Sequence, residues 1–389
     1  MEINGMEIEE YLNRLRESGN FRSIPLESRK KTIDFSTNDY MGIAADTDMQ
    51  QRFFADEAAK SIPLTSSAAR LLAPRQIEYL NLEVFLRLAY ARYRGDDTDA
   101  LLFNSGYHAN IGLISAIARH DTFILADKLV HASIIDGIEL SRASFRRFRH
   151  NDLDHLEQLI DRHKADAANL LVIVESVYSM DGDHADIDRL IDIKRRHPQV
   201  MIYVDEAHAF GVLGPHGLGL AAQSAAPAEI DIVVGTFGKA AGSAGAFAVT
   251  SRQMRQYLIN TSRSFIFSTA LPPMQAAWTR FTLATLMTAD RRRAHLQWLG
   301  EKLQATLAKY APAPTTASHI QPLIVGDPHK VVDLSDKLLH IFGIKALPIR
   351  KPTVAAGTER LRFSLNARMT GHEIDLLDEA LAQTMPTLK

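Results

Sequence analysis

The stretch "VMIYVDEAH", Val200 to His208, is apolar for five residues and then turns acidic before it reaches a histidine. A run that is apolar throughout, and does not alternate, is typical of a strand covered on both faces in a mostly parallel sheet. Open α/β sheets bind ligands at the carboxyl ends of their strands. The stretch therefore predicts a buried strand that ends with Asp205 and His208 at a ligand-binding edge.

Further runs of the same kind occur along the chain, with helical patterns between them. Their spacing predicts β-α-β units and an α/β fold with a mostly parallel central sheet. The runs are "ALLF" (100–103), "TFILAD" (122–127), "LLVIVES" (170–176), "DIVVGT" (231–236) and "GAFAVT" (245–250).

The alternation of strands and helices spans residues 46–273, which we expect to form a large α/β domain. Residues 1–45 precede it as an arm. In that arm Ile8, Tyr11, Leu12 and Leu15 recur at helical spacing, so they predict an amphipathic helix that must dock on another surface.

Residues 274–389 have a different pattern. A long helical stretch runs to about residue 310, and strand-like "IQPLIVG" and "RLRFSLN" precede the helical "HEIDLLDEALAQTM". This order predicts a smaller α+β domain at the C-terminal end.

The composition excludes several kinds of protein. The 389 residues carry a net charge of −2 and no cysteine, so we expect no nucleic-acid partner, no anionic membrane surface, no disulfide and no thiolate metal site. The basic clusters at 146–150 and 291–293 are expected on solvated helix or loop faces. No signal-peptide pattern opens the chain, and we expect a cytoplasmic protein.

One lysine stands among small residues in "TFGKAAGSAG", Thr236 to Gly245. A desolvated lysine is a competent amine nucleophile toward an aldehyde. Taken alone, Lys239 is explained as well by a surface loop. Together with Asp205 and His208 it suggests pyridoxal phosphate (PLP), because a lysine can hold the aldehyde while an aspartate keeps the pyridine nitrogen protonated.

Two further motifs fit the same cofactor. "NSGYHAN" (104–110) follows a predicted strand and opens a helix, where Gly106 lets backbone N–H groups approach a phosphate. "VHAS" places His131 after another strand, where its imidazole could stack on a ring. A routine glycine turn and a structural histidine explain each motif equally well in isolation.

The ordered set of motifs resembles the α-oxoamine synthases, a family of fold-type I PLP-dependent enzymes, over nearly the whole chain. The late segment "RKPTVAAGTERLR" (350–362) resembles the branch that condenses L-alanine with a pimeloyl thioester. The other motifs are "FSTNDYMGI", "LLFNSGYHANIGLI", "ADKLVHASIIDG", "FRHNDLDHL", "VESVYSMDGD", "VDEAHAFGVLGPHGLG", "TFGKAAGSAGAF", "FSTALPP" and "SHIQPLIVGD".

The resemblance implies catalytic and cofactor-binding roles at the sheet edge. Lys239 would bind the cofactor aldehyde and act as the base at the substrate Cα, and Asp205 would pair with the ring nitrogen. His208 and Ser179 would reach the phenolic oxygen, and His131 would stack on the ring.

It also implies a phosphate site and a homodimer. Gly106, Tyr107 and Thr236 would hold the phosphate side of the cofactor. Ser268 and Thr269 would reach the phosphate of the neighbouring subunit's cofactor, so the active unit is expected to be a homodimer.

The substrate residues follow by the same resemblance. Arg362 and Asn38 would bind the amino acid carboxylate, and Arg22, Arg350 and Thr353 would line the acyl path. The acyl group could arrive on coenzyme A or on a carrier protein. Two alternatives remain: a sister synthase that uses glycine or serine with another acyl-CoA, and a silent subunit that serves as a dimerisation scaffold.

The chain departs from the family in "TSSAARLLAP", Thr65 to Pro74, which keeps Arg70 but has none of the family's glycines. Glycine at such sites usually marks a positive φ or a close backbone approach. We therefore expect either a reshaped loop or a different acyl pocket.

Overall fold

The computed structural model describes residues 5–24, 32–165, 167–312 and 316–387. The chain divides into two compact units. The large unit comprises residues 39–179 and 184–293, and the small unit comprises residues 1–38, 180–183 and 294–389. The arm and two domains expected from the sequence have other boundaries than these two units, and that division of the chain stays a prediction.

The strands are numbered in chain order. They are β1 (Ile33–Asp34), β2 (Thr98–Phe103), β3 (Thr122–Asp127), β4 (Ser144–Phe148), β5 (Asn169–Glu175), β6 (Val200–Asp205), β7 (Ile232–Thr236), β8 (Ala246–Ser251), β9 (Ile320–Ile324), β10 (Ile344–Lys345), β11 (Leu347–Ile349) and β12 (Arg360–Ser364).

The helices are numbered in the same way. They are α1 (Gly5–Glu17), α2 (Thr47–Ala55), α3 (Glu57–Lys60), α4 (Ile77–Arg94), α5 (Gly106–Ile117), α6 (Ala132–Ser141), α7 (Leu153–His163), α8 (Ile187–Arg196), α9 (Leu220–Gln223), α10 (Arg252–Thr261), α11 (Arg263–Ile266), α12 (Pro273–Leu286), α13 (Asp290–Leu307), α14 (Pro328–Phe342) and α15 (Gly371–Thr384).

The large unit is built on a seven-stranded sheet in the order β2-β8-β7-β6-β5-β3-β4. All pairs from β7 to β4 are parallel, and β8 is antiparallel to both of its neighbours. Every residue of β3 and β7 is buried, as the apolar runs predicted. The mostly parallel α/β sheet expected from the sequence is confirmed.

The parallel strands end at one edge of this sheet, and their register places polar residues side by side there. Glu175 at the end of β5 pairs with Asp205 at the end of β6, and Asp205 pairs in turn with Val234 of β7. Because β7 continues for two more residues, Thr236 ends it just beyond that register.

The small unit contains an antiparallel sheet in the order β11-β12-β9 and a parallel pair of β1 with β10. The rings of Phe35 and Phe363 pack edge to face at 5.8 Å between centroids. Helix α15 begins with a capping box, in which Thr370 and Glu373 satisfy the first N–H groups. The strands and the last helix predicted in this region are confirmed.

Three expectations need correction. Arg146 and Arg147 lie in β4, an exposed edge strand, and not in a helix or loop; charged side chains at such an edge discourage pairing with another chain. The helical stretch before residue 310 is two helices, α12 and α13. Helix α1 forms as expected, but Ile8 and Tyr11 on its apolar face are exposed.

None of the helices in the described residues is both long and apolar enough to cross a bilayer.

Candidate active site

Asp205 lies at the carboxyl end of β6 and is only 4% exposed. The amide nitrogen of Asn110 donates a hydrogen bond to its Oδ2 at 2.8 Å, and the backbone N–H of Ala207 donates to its Oδ1 at 2.9 Å. Both carboxylate oxygens therefore have a donor, and the side chain is held in one orientation at the edge predicted to bind a ligand.

Lys239 follows β7 in the turn of small residues and is half-buried. Its Nζ lies 2.7 Å from Nε2 of His208, and Nδ1 of the same imidazole lies 2.7 Å from the hydroxyl of Tyr40. The structure thus brings the predicted lysine and histidine into one hydrogen-bond chain. Tyr40 extends this chain and was not predicted.

His131 caps the N-terminus of α6. Its Nδ1 lies 2.8 Å from the hydroxyl of Ser133, and the backbone N–H of Ser133 donates to the same nitrogen at 3.2 Å. The pKa of His131 lies below its ordinary value, first because surrounding protein atoms displace water from the ring. Asp205 opposes this shift, and Lys239 adds to it.

Two buried glutamates beside Asp205 were missed in the sequence. Glu175 ends β5, and burial raises its pKa well above the ordinary value, with the like charge of Asp205 as the next cause. Burial also raises the pKa of Glu206 to about 7, although Ser176 and the backbone N–H of Ala221 donate to its carboxyl group. Both carboxyls therefore have a stronger hold on a proton than an exposed glutamate.

The N-terminus of α5 supplies the predicted phosphate-binding element. Ser105 caps the helix by accepting a hydrogen bond from the N–H of His108, and Gly106 begins it. The side chain of Thr236 lies against Gly106, where an added Cβ would be 3.7 Å from the threonine Cβ. The hydroxyl of Tyr107 donates a hydrogen bond to the carboxylate of Asp136.

The remaining cofactor candidates of the large unit lie on loops. Ser268 accepts a hydrogen bond from the side-chain amide of Asn104 at 2.9 Å, and the same amide bonds to the backbone oxygen of Thr269. Ser179 is half-buried and follows an isolated bridge that joins Val177 to His184. Their predicted contacts with a cofactor stay predictions.

Within the small unit, Arg362 lies on β12 and is 3% exposed. Its guanidinium donates to the hydroxyl of Ser364 at 2.7 Å and to the side-chain oxygen of Asn38 at 3.2 Å. Arg362 and Asn38, predicted together from the sequence, are neighbours. A planar guanidinium held in this way is suited to a carboxylate, which it can bind through two parallel hydrogen bonds.

A second cationic cluster of the small unit joins the arm to the loop before β12. Arg22 donates to the hydroxyl of Thr353 at 3.2 Å, and Arg350 donates to backbone oxygens of Gly19 and Phe21. The pKa of Arg350 is lowered by burial and then by the nearby charge of Arg22. The three predicted acyl-path residues are therefore close together.

The glycine-free segment of the large unit shows how the loop is built without glycine. Ser67 adopts a positive φ of 49°, the region that glycine usually fills. Arg70 pairs with the buried Glu83 at 3.3 Å and lies over the ring of Tyr79. Ala69 and Thr269 form an isolated bridge. Serine fills the position of positive φ, and the two alternatives, a reshaped loop and a different acyl pocket, stay predictions.

Among the described residues, no cluster of His, Asp and Glu could hold a metal ion.

Comparison with known proteins identifies the family. The model of aminotransferase class I and II matches residues 30–381. A relative from Haemophilus ducreyi named 8-amino-7-oxononanoate synthase is 42% identical over 382 residues, covering 94% of this chain and 97% of that protein. The chain belongs to the class I and II aminotransferase family, among the α-oxoamine synthases.

Solved α-oxoamine synthases have the same fold. A serine palmitoyltransferase from S. paucimobilis, with PLP-myriocin bound, has a TM-score of 0.87 and 28% identity, covering 98% of this chain and 97% of that chain. The 8-amino-7-oxononanoate synthase of Francisella tularensis has a TM-score of 0.75 and 28% identity, covering 92% of this chain and 98% of that one.

The large unit of this α-oxoamine synthase has the groups that PLP requires. An amine stands beside an imidazole at Lys239, a buried carboxylate with fixed orientation stands at Asp205, and a capped helix begins at Gly106. These suit an aldehyde, a protonated pyridine nitrogen and a phosphate, respectively. The chemistry of the donor set fits the cofactor.

Three further residues that the sequence analysis missed form hydrogen bonds that hold the predicted groups in place. Asn110, Ser133 and Tyr203 carry no chemistry of their own that marks a site. Asn110 ends the quoted motif "NSGYHAN", four residues after Gly106 on the same face of α5, and this spacing was the available signal.

Proposed function

We propose that this chain is an 8-amino-7-oxononanoate synthase, which uses PLP to condense L-alanine with a pimeloyl thioester, with loss of carbon dioxide, in biotin synthesis. The observation that carries the proposal is the cluster of Lys239, His208 and Asp205 at one sheet edge. Named relatives over nearly the whole chain support the choice of reaction.

When bound, PLP supplies an aldehyde and a ring that accepts electrons from the substrate Cα. Lys239 would hold the aldehyde until the amino group of alanine takes its place there, and the freed lysine amine would be the base that removes the Cα proton. His208 lies 2.7 Å from this amine and can exchange a proton with it. Asp205, fixed by two donors, keeps the pyridine nitrogen protonated.

Binding of the phosphate falls to the N-terminus of α5. The first N–H groups of a helix have no partner within it, and the helix dipole favours an anion there. Gly106 and Tyr107 contribute these groups, and the Thr236 hydroxyl is their neighbour. Ser179 is assigned to the phenolic oxygen together with His208, and His131 to the face of the ring.

Arg362 and Asn38 are assigned to the carboxylate of alanine. The Arg362 guanidinium is buried and braced by Ser364, so little side-chain freedom is lost when it binds. Orienting the carboxylate selects the bond that is broken when carbon dioxide leaves. Arg22, Arg350 and Thr353 are assigned to the acyl chain, whose far carboxylate suits two neighbouring guanidiniums.

A homodimer is part of the proposal, and an exposed apolar stripe on α4 supports it. Four apolar side chains at helical spacing are exposed along one face of this helix, namely Ile77, Leu80, Val84 and Leu88. In the proposed dimer, Ser268 and Thr269 are assigned to the phosphate of the partner's cofactor. A cytoplasmic location completes the proposal, because a chain without cysteine suits a reducing compartment.

The test is a grid of turnover measurements on the purified full chain loaded with PLP. L-Alanine with pimeloyl-CoA or with a pimeloyl carrier protein should give carbon dioxide and the oxoamine. Glycine with acetyl-CoA and serine with palmitoyl-CoA should give much less. If either of these pairs is faster, the chain is a sister synthase; if no pair turns over, the catalytic proposal fails.

A further inference from the structure

Asn110 is buried and contacts Asp205, which is assigned to the cofactor, as well as Ser133 and Tyr203. Its amide nitrogen donates to Oδ2 of Asp205 at 2.8 Å and to the hydroxyl of Ser133 at 2.9 Å, and its oxygen accepts from the hydroxyl of Tyr203 at 2.6 Å. A carboxylate can only accept, so the NH₂ group must be the atom that faces Asp205. The orientation of this amide is therefore fixed by its partners.

The fixed amide determines the direction of the next hydrogen bond. Ser133 has no exposed surface, and its hydroxyl oxygen accepts one proton from Asn110. Within the described residues, Nδ1 of His131 at 2.8 Å is the acceptor left for the hydroxyl's own proton. The backbone N–H of Ser133 donates to the same Nδ1. Two donors thus point at Nδ1, which must carry a lone pair.

We propose that Asn110 and Ser133 are positioning residues that set the orientation of Asp205 and the tautomer of His131 together. The amide group of Asn110 connects Asp205 and His131. It holds the carboxylate through a direct hydrogen bond and orients the imidazole through the hydroxyl of Ser133. The proton of His131 is then on Nε2, the nitrogen that is left to meet a substrate or cofactor, and the ring stays neutral.

The charges around His131 show why such a device is needed. Asp205 and Asp136 favour the imidazolium, Lys239 disfavours it, and the backbone N–H of His131 bonds to the buried Glu175. Protonation of Nδ1 would bring an N–H group against the N–H of Ser133. Removing the Ser133 hydroxyl removes one of the two donors at Nδ1, so the imidazolium becomes easier to form.

A neutral imidazole that presents Nε2–H can donate a hydrogen bond to a substrate oxygen without adding a positive charge beside Lys239. This use of His131 rests on the proposed function. The assignment of the tautomer does not rest on the proposed function, because the tautomer can be measured without cofactor or substrate. A wrong tautomer can therefore be distinguished from a failure to bind PLP.

The experiment is a ¹⁵N NMR titration of the full chain labelled at histidine, first without PLP and then with it, with His131→Asn used to assign the signal. Wild type should show the Nε2–H tautomer. Ser133→Ala should raise the pKa of His131 and mix its tautomers, while Ser141→Ala, whose hydroxyl bonds to Ile138 at the other end of α6, should change neither.

Asn110→Ala provides the second arm, because it removes the hydrogen bonds to Asp205 and Ser133 together with the one from Tyr203. It should shift the His131 titration as Ser133→Ala does and should also slow the PLP-dependent exchange of the alanine α-proton, which Ser133→Ala should affect less. An Nδ1–H tautomer in wild type overturns the proposal, as does a Ser133→Ala titration equal to that of Ser141→Ala. If Asn110→Ala does not fold, the wild-type tautomer and the comparison of Ser133→Ala with Ser141→Ala still test the proposal.

Discussion

The two units hold their polar site groups in different ways. In the large unit, Asp205 ends β6 and Lys239 follows the neighbouring parallel strand β7. A buried hydrogen bond from Asn110 fixes Asp205, and a partly buried contact with His208 holds Lys239. In the small unit, Arg362 lies on an antiparallel strand. Arg22 donates to the hydroxyl of Thr353, and Arg350 donates to backbone oxygens of the arm. The proposed cofactor groups and the proposed carboxylate ligand Arg362 therefore depend on strands, whereas the proposed acyl-path arginines depend on contacts between the arm and a loop.

The largest effect that bears on this comparison is expected at Asp205. Asp205→Asn keeps the shape and the Ala207 contact but cannot hold the charge of a protonated ring nitrogen. Exchange of the alanine α-proton should fall roughly 10²–10³-fold, as when one electrostatic partner of a transition state is removed. Proton NMR in D₂O measures this exchange, with the exposed Asp154→Asn as control. Near-normal exchange in a variant that binds PLP would remove Asp205 from this role.

The next effect separates the units. Arg362→Ala should raise the KM for alanine on the order of a hundredfold, because a buried charged hydrogen-bond partner is lost. PLP binding, assigned to the large unit, should be unchanged. Steady-state kinetics and absorbance titration give the two values, and Arg368→Ala, an exposed arginine of the same region, is the control. A loss of cofactor affinity as large as the KM change would contradict this division of roles.

A smaller effect is expected in the arm. Arg22→Ala removes one charged donor next to Thr353, which typically costs about 1.5–3 kcal/mol, or roughly tenfold or more in the KM for the acyl thioester. The KM for alanine should not move. Equal changes in both values would show that Arg22 supports the fold of the unit and does not recognise the acyl group.

A last effect concerns stability and not activity, and it is a pH dependence within the large unit. The folded protein keeps the proton of Glu206 up to pH about 7, whereas the unfolded chain releases it near the ordinary value of 4.5. Stability therefore falls as pH rises from 4.5 to about 7 and levels above that, by about 3 kcal/mol. The variant Glu206→Gln has no carboxyl group at this position, so its stability lacks this contribution to the pH dependence. Urea unfolding at several pH values should show wild type losing stability relative to Glu206→Gln across this window, and parallel curves would contradict it.

The sequence predicted the regular parts of the molecule well. Apolar runs such as Leu170–Ser176 identified the buried parallel strands, because strands covered on both faces have no polar alternation. The chemical groups at their ends followed from the same reasoning. Lys239 and His208, which are 31 positions apart, were assigned to one cofactor, and the structure places Nζ of the lysine 2.7 Å from Nε2 of the histidine.

The rest depended on tertiary contacts that local patterns do not contain. Asn110 and Ser133 have polar side chains of ordinary type, and only the fold shows that they link Asp205 to His131. Strand β4 was missed because four of its five side chains are exposed and two of these are arginines, which interrupts the apolar signal of an interior strand. The positive φ of Ser67 is likewise invisible in a segment without glycine.

The central claim is that the large unit binds PLP through Lys239. Borohydride reduction of the full chain incubated with PLP, followed by peptide mapping, tests it most directly. One modified peptide that contains Lys239 is expected, together with its loss in Lys239→Ala and its retention in the exposed-lysine control Lys128→Ala. An adduct that survives in Lys239→Ala, or that maps to another lysine in wild type, would show that Lys239 does not bind the cofactor.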